Sequence, residues 1–445
     1  PEERLQAALV PDWEWPYKLP KNWCWTTVGT ICDGFQYGYT EKATFEKIGP
    51  HFIRITDIGD GIINDSGAPY CKIDSDSFIK YKINKDDILI ARMGSVGENG
   101  LATHNIDGVF ASYLIRIVPR SNAKYVCNFL QTNLYWGQIS EKAQGTTRLN
   151  VNANVLKNLI IPLPPLAEQQ RIIDRIESLF AKLDEAKEKA QAVVDSFETR
   201  KAAILHKAFT GELTAKWREE HGVGMESWHL RTIGEVCENV KVGIVIKPSQ
   251  YYVPQSEGTP AFRSANVREC RIDDFDWVYL NEKGMKDNSR SIVHTGDVLV
   301  VRSGNPGTAC VVPERFDGYN AIDILIAVPN KKIIISDYLC YYTNSPLGKK
   351  TVEIGKRGIA LTHFNVKGFS QMPINIPTIP EQVVIVRTLS DLFAQEQQAK
   401  EAAEAVLDQI DLMKKSILAR AFRGELGTND PNEESAVELL RNSIN

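Results

Sequence analysis

"ILHKAFTGEL", Ile204–Leu213, and "ILARAFRGEL", Ile417–Leu426, are one phrase written twice, identical at seven of ten positions and offset by 213 residues. Chance is a poor account of such a match, and the repeat extends well beyond it. "SLFA" (Ser178–Ala181) faces "DLFA" (Asp391–Ala394), and "PPLAEQ" ending at Gln169 faces "PTIPEQ" ending at Gln382, both at the same offset. Toward the N-terminus the offset shrinks in steps. "DILIARMGSVG" (Asp87–Gly97) matches "DVLVVRSGNPG" (Asp297–Gly307) at 210, and "FIRITDI" (Phe52–Ile58) matches "AFRSANV" (Ala261–Val267) at 209. "TVGTIC" (Thr27–Cys32) matches "TIGEVC" (Thr232–Cys237) at 205. Stepwise drift is what loop insertions leave behind in a duplicated unit.

Within each unit the texture changes at a proline-containing stretch. Before it, "FIRITDI", "DDILIAR" and "YLIRIVP" are short apolar or alternating runs punctuated by Gly, Asn and Asp. They read as β-strands joined by loops, with helix around Tyr125–Lys142. "IPLPP" (Ile161–Pro165) closes this part, because proline fixes φ and biases the preceding residue away from helix. A helical pattern free of Gly and Pro then runs from Leu166 to Thr210.

Ile176, Leu183, Ala190, Phe197 and Ile204 fall seven apart, with Leu179, Ala186 and Val193 three residues after the first three. This is the a/d pattern of a coiled coil. The second copy gives Leu389, Glu396, Ala403, Ile410 and Ile417 with Leu392, Ala399, Val406 and Met413, a charge standing at one a position. Gly211 and Gly424 stop the two helices. The expected fold class is α/β (α+β): two globular modules alternating with two long helices that pair as an antiparallel coiled coil, a pseudo-twofold internal repeat. The expected boundaries are 1–165 for an N-terminal segment and first module, 166–215 for a central spacer helix, and 216–380 for a second module. A C-terminal spacer helix at 381–427 and an acidic tail at 428–445 complete the chain.

Composition narrows the function. The chain has 445 residues, a net charge of −4 and no run of 18 apolar residues, so no membrane span is expected. "PEERLQAALV" lacks a signal-peptide layout, and eight scattered cysteines without a Cys-x-x-Cys pair read as reduced thiols, which points to the cytoplasm. Residues 228–377 carry 18 Lys and Arg against 15 Asp and Glu, whereas 381–445 carry 7 against 12. The modules lean basic, a weak sign of nucleic-acid contact.

Motifs for chemistry are missing. There is no P-loop, no His-x-x-x-His, no Gly-x-Ser-x-Gly, and no Asn/Asp-Pro-Pro-aromatic motif of DNA methyltransferases. No catalytic residue and no metal ligand is assigned. Binding is what remains. "QYGYTEK" (Gln36–Lys42) and "KVGIVIK" (Lys241–Lys247) mix Gly, aromatic or apolar residues and a cation, suited to following a phosphate backbone. Candidates for DNA contact in the first module are Tyr37, Tyr39, Lys42, Arg54, Arg92, Ser95 and Arg148. In the second they are Lys241, Lys247, Arg263, Asn266, Arg302, Asn305 and Arg357. The arginines sit beside Gly-rich or polar loops, where a guanidinium can pair with guanine or clamp phosphate. A salt bridge to a nearby acid is the competing role for each.

The order "LPKNWCWTTVG", "FIRITDI", "DILIARMGSVG", "IPLPPLAEQQRIIDRIESLF" and "AFTGEL" resembles the specificity subunit of type I restriction–modification enzymes, from about Lys18 to Leu426. That resemblance implies a non-catalytic subunit whose two modules are target recognition domains, each reading half of a bipartite site in double-stranded DNA. It implies helices that set the spacer and dock two methyltransferase subunits, with restriction and translocase subunits joining the complex. It implies no cofactor in this chain, and S-adenosylmethionine on the partner methyltransferase subunits. Glu168, Gln169, Arg171, Glu381 and Gln382, placed on solvated helix faces, are the candidate docking residues. The other reading is a paired-head adaptor for protein or peptide. Salt-dependent retention on DNA separates the two, because phosphate neutralisation makes binding fall with salt.

Overall fold

The computed structural model describes residues 2–143, 150–357 and 364–444. The chain forms two compact units, one of residues 1–190 with 405–445, the other of residues 191–404. Both cuts fall inside long helices, Leu166–Asp195 and Ile379–Ala421. Each unit therefore holds one module, the beginning of the long helix that follows it, and the closing turns of the other long helix.

In the first unit the strand Leu114–Pro119 runs antiparallel to Ile88–Ala91 on one side and Cys32–Tyr37 on the other. Asn99–Leu101, Gly61–Ile63 and Ile58–Gly59 extend the sheet to six strands. The run "ILIA" is buried at all four positions, which explains its continuous apolar character. A short antiparallel pair, Cys24–Thr27 with Ile160–Leu163, brings the start of the module to its end. The second unit repeats these ladders. Leu114↔Ala91 becomes Ile324↔Val301, Ile115↔Tyr37 becomes Leu325↔Val242, and Cys24↔Leu163 becomes His229↔Ile376. Three offsets read from sequence thus reappear as one strand register.

Two repeated acids hold turns rather than face solvent. Asp87 and Asp297 are buried and accept the backbone N–H of Asn84 and His294, each at 2.9 Å. Burial lifts both carboxyls above the ordinary aspartate range.

The central helical pattern forms two segments, Leu166–Asp195 and Phe197–Phe209, parted at Ser196, whose hydroxyl donates back to the Ala192 carbonyl at 2.5 Å. Within the first unit the helices meet through Lys414–Asp184 (2.5 Å) and Lys187–Asp411 (3.4 Å), an antiparallel pairing. Within the second, Arg200 binds Glu396 at 2.7 Å, so the charge in the a series is answered across the seam.

The a/d expectation needs correction on the C-terminal helix. The a positions Leu389, Ala403 and Ile410 are buried, but Val406 and Met413 of the d series are 41% and 47% exposed. The second inward line lies one position later, at Lys400, Leu407 and Lys414. Lysine stems make this possible: Lys400 sits over the Phe197 ring and Lys414 over Phe180, at 4.9 and 5.1 Å.

The segment read as an acidic tail is packed. Ala436–Ile444 is helical, and Ala436 and Leu440 join Leu418, Ala421 and Phe422 in the main core of the first unit. Its acidic surface hides an apolar face in "AVELLRNSI".

Candidate nucleic-acid interface

Arg92 follows directly on the strand Ile88–Ala91, where the chain enters a turn with Gly94 and Gly97 at φ 77° and 93°. Its guanidinium carbon lies 4.7 Å from the Tyr37 ring centroid, a stacking contact across the same sheet. Its backbone N–H donates to Tyr113 and its carbonyl accepts from Val151. Tyr113, 55% exposed, adds a second aromatic at the same edge. Among the described residues Arg92 has no ion pair, and its Nε is buried without a hydrogen-bond partner. A guanidinium stacked on Tyr37, with no ion pair among the described residues, suits a base edge or a phosphate.

Arg302 holds the same place in the second unit, and its carbonyl accepts from Phe364 as Arg92 does from Val151. The chemistry around it differs. Val242 stands in register where Tyr37 stood, and Asp323, one residue before Ile324 as Tyr113 is before Leu114, binds the Arg302 guanidinium at 2.9 Å. Arg302 lines a cleft of about 470 Å³ with Val245, Asn365 and Lys367. The two sites share a frame and present different groups.

The other candidates divide. Tyr37 is 38% exposed, and its hydroxyl accepts the Ala153 N–H at 3.1 Å. Lys42, Ser95, Lys247 and Asn305 are exposed on loops, and Lys247 adopts the left-handed φ of 42°. Lys241 donates to the Ile292 carbonyl at 3.0 Å. Tyr39 packs in a small cluster with Phe52, Cys71 and Val109. Arg148 lies outside the described residues, and so does the side chain of Arg357.

"RITD" and "RSAN" prove to be one turn. Asp57 accepts the Arg54 backbone N–H at 2.8 Å, and Asn266 accepts that of Arg263 at 2.9 Å. Arg54 is then held by the Asp57 carboxylate at 2.9 Å and Arg263 by Asp276 at 2.7 Å, the competing role named from sequence. Asn266 is a correction. It is fully buried, and its amide donates to the Phe275 carbonyl at 2.8 Å, so it holds the turn from inside the protein.

The docking candidates need the same correction. Glu168, Gln169, Glu381 and Gln382 are each 0% exposed. Glu168 accepts from Trp23 Nε1 (3.1 Å), Asn429 Nδ2 (2.9 Å) and Thr428 Oγ1 (3.2 Å). Burial raises its carboxyl above the ordinary glutamate range, against the pull of these donors. Glu381 accepts from Trp228 Nε1 (3.1 Å), Thr214 Oγ1 (2.7 Å) and the Arg218 guanidinium (2.6 Å). Gln169 donates to the Pro164 carbonyl and Gln382 to that of Pro377. Arg171 is half-exposed and grips Glu433 through both terminal nitrogens at 2.8 Å. These side chains close each unit internally. A polar "Glu-Gln" at a helix start reads as solvated; the tryptophans at 23 and 228, in register at the offset of 205, are the sequence's sign of a buried acceptor.

The repeated phrase that ends each long helix now has a place. After Gly211 the chain delivers Thr214 and Arg218 to Glu381, and after Gly424 it delivers Thr428 and Asn429 to Glu168. Each copy fastens the end of one helix to the start of the other, once per unit.

Residues 25–194 and 225–406 both match the family model described as the type I restriction modification DNA specificity domain. The chain is 25% identical over 435 residues to the EcoKI specificity subunit of Escherichia coli K12, covering 92% of this chain and 90% of that protein. It is likewise 25% identical over 438 residues to the StySPI specificity subunit of Salmonella potsdam, with the same coverage. Among solved structures, the HsdS subunit from Thermoanaerobacter tengcongensis aligns with a TM-score of 0.64 at 20% identity, covering 93% of this chain and all of that one. That last likeness concerns the fold.

Proposed function

The chain belongs to the type I restriction modification DNA specificity family, and on that premise we propose that it is the DNA-recognition subunit of such a system, without catalysis of its own. Each module reads one half of a split site in double-stranded DNA, and the long helices fix the unread gap. Methyl transfer from S-adenosylmethionine belongs to partner methyltransferase subunits, and cleavage to motor and nuclease subunits, all acting in the cytoplasm. No described helix is long and apolar enough to cross a membrane.

One observation carries this reading: two modules with the same strand register present Arg92 and Arg302 at equivalent edges, in unlike surroundings. One frame with two chemistries is what reading two different half-sites requires. With the Glu-Gln pairs buried, the exposed apolar positions Val406, Leu412 and Met413 are the better place for a methyltransferase subunit to dock. The test is to express the chain with its neighbouring methyltransferase gene and map methylated adenines across a genome. A bipartite motif supports the proposal; no methylation beyond that of the methyltransferase alone would sink it.

A further inference from the structure

In the second unit Cys270 stands at the tip of a hairpin between Val267–Arg268 and Arg271–Ile272, at the left-handed φ of 55°. The residue is exposed, yet its Sγ turns inward to the helix Ser336–Asn344. There it accepts from Cys340 Sγ at 3.6 Å and from Asn344 Nδ2 at 3.4 Å. Cys340 is 2% exposed. Among the described residues no other two cysteine sulfurs are hydrogen-bonded to each other, and the remaining six are all buried. Both Cys270 and Cys340 open onto a cleft of about 430 Å³ that Arg271 and Arg315 also line. On its other side Cys270 borders a cavity of about 300 Å³ with Lys201, Phe197, Tyr341 and Phe393.

We propose that Cys270 and Cys340 are a peroxide-reactive dithiol, with Cys270 the attacking and Cys340 the resolving thiol. The ligand class is a hydroperoxide, entering by the arginine-lined cleft. The Cys270 thiolate attacks the distal oxygen, the O–O bond breaks, and the alcohol (water, for hydrogen peroxide) leaves after taking up a proton. Cys270 is left as a sulfenic acid, its sulfur oxidised by two electrons as the peroxide is reduced. Cys340 Sγ then attacks Cys270 Sγ, the S–S bond forms, and hydroxide departs as water with the Cys340 proton. Two thiols and one hydroperoxide become one disulfide, one alcohol and one water. The sulfurs must close from 3.6 Å to about 2 Å.

The surroundings favour this division of roles. The Cys340 S–H and the Asn344 amide, helped by Lys201, hold the Cys270 thiol below the ordinary cysteine range against burial and Glu269. Cys340 is pushed the other way, first by donating to Cys270 and then by burial. A lowered thiol bordering two clefts, beside a raised one on a residue only 2% exposed, is the arrangement of an attacking and a resolving cysteine. Glu269, next to Cys270, ties the hairpin tip to Lys201 at 2.6 Å and to Lys349, so the pair is held without the disulfide.

The full-length chain, treated briefly with hydrogen peroxide, alkylated and then digested, gives the answer by mass spectrometry. The expected result is a loss of two of the eight thiols, with one cross-linked peptide pair carrying Cys270 and Cys340. Cys340→Ser should halt the reaction at a Cys270 sulfenic acid that dimedone captures, and Cys270→Ser should leave every thiol free. Eight intact thiols under conditions that oxidise glutathione, or a disulfide joining other cysteines, would overturn the proposal. So would a Cys340→Ser chain in which dimedone marks other sites.

Discussion

Trp228 Nε1 donates to Glu381 Oε2 at 3.1 Å across 153 residues of chain. In the first unit Trp23 and Glu168 make the same bond at 3.1 Å, across 145. The companions of the two carboxylates differ. Glu381 also neutralises Arg218, whose side chain is 8% exposed, whereas Glu168 gathers neutral donors from Thr428 and Asn429. Removing Glu381 strands a buried cation, which costs about 3–5 kcal/mol. Removing Glu168 leaves neutral donors unmet, which costs about 1–3 kcal/mol. Denaturant unfolding should therefore rank Glu381→Ala as more damaging than Glu168→Ala. The reverse order would refute this account of the two fasteners.

Arg92→Ala should weaken binding to the cognate duplex by about 1–3 kcal/mol, with the first half-site losing discrimination. Arg92→Lys keeps the charge and loses the planar fork that stacks on Tyr37, so it should recover only part of the affinity. Fluorescence anisotropy on duplexes mutated at single positions reads both effects. Full affinity in a folded Arg92→Ala chain removes this residue from the interface.

Val406→Glu with Met413→Glu should leave folding intact, because both positions are exposed, and should reduce the methyltransferase recovered on co-purification. Undiminished recovery would place docking on another surface.

Insertions of four residues near Lys187 and near Lys400 lengthen each helix by about 6 Å. On the proposed function, the unread gap should grow by about one or two base pairs, since B-DNA rises about 3.4 Å per pair. The half-sites should not change, and some stability should be lost because the seam turns by about 40°. Methylome mapping of the variant decides. An altered half-site with an unaltered gap would show that the helices do not set the spacing.

Asp297 gives a pH dependence with a definite sign. Its folded carboxyl titrates above the ordinary aspartate value because of burial. A raised pKa means that the folded state holds the proton more tightly, so the stabilisation is fully present below the unfolded value. It is lost as pH rises through the folded one. Melting the wild type and Asp297→Asn in parallel from acid toward neutrality should show the wild type's relative advantage shrinking as pH rises. An advantage that grows would contradict the sign.

The ladders were legible in the sequence because strand register is carried by apolar runs, and both copies of "DILIAR"-like sequence keep theirs. The turns were legible only as repeats. Nothing in "RSAN" distinguishes an Asn that reads a base from one that closes its own loop, since the same amide serves both, and only burial separates them. The Glu-Gln pairs failed for a related reason: a charge at a helix start is ordinarily solvated, and its acceptors' partners lie 145 or more residues away. The a/d series failed on the C-terminal helix because lysine counts as polar in any pattern, although its stem packs like an aliphatic chain.

The first unit draws its core from both ends of the chain, with Phe422 packed on Tyr125 and Phe129 at ring distances of 4.9 and 5.6 Å. During synthesis the order of completion therefore runs against the order of translation. Residues 191–404 can close as soon as they leave the ribosome, while the N-terminal module, made first, waits with Tyr125 and Phe129 uncovered until residues 405–445 arrive. Of the two units, the one whose module is translated first is finished last.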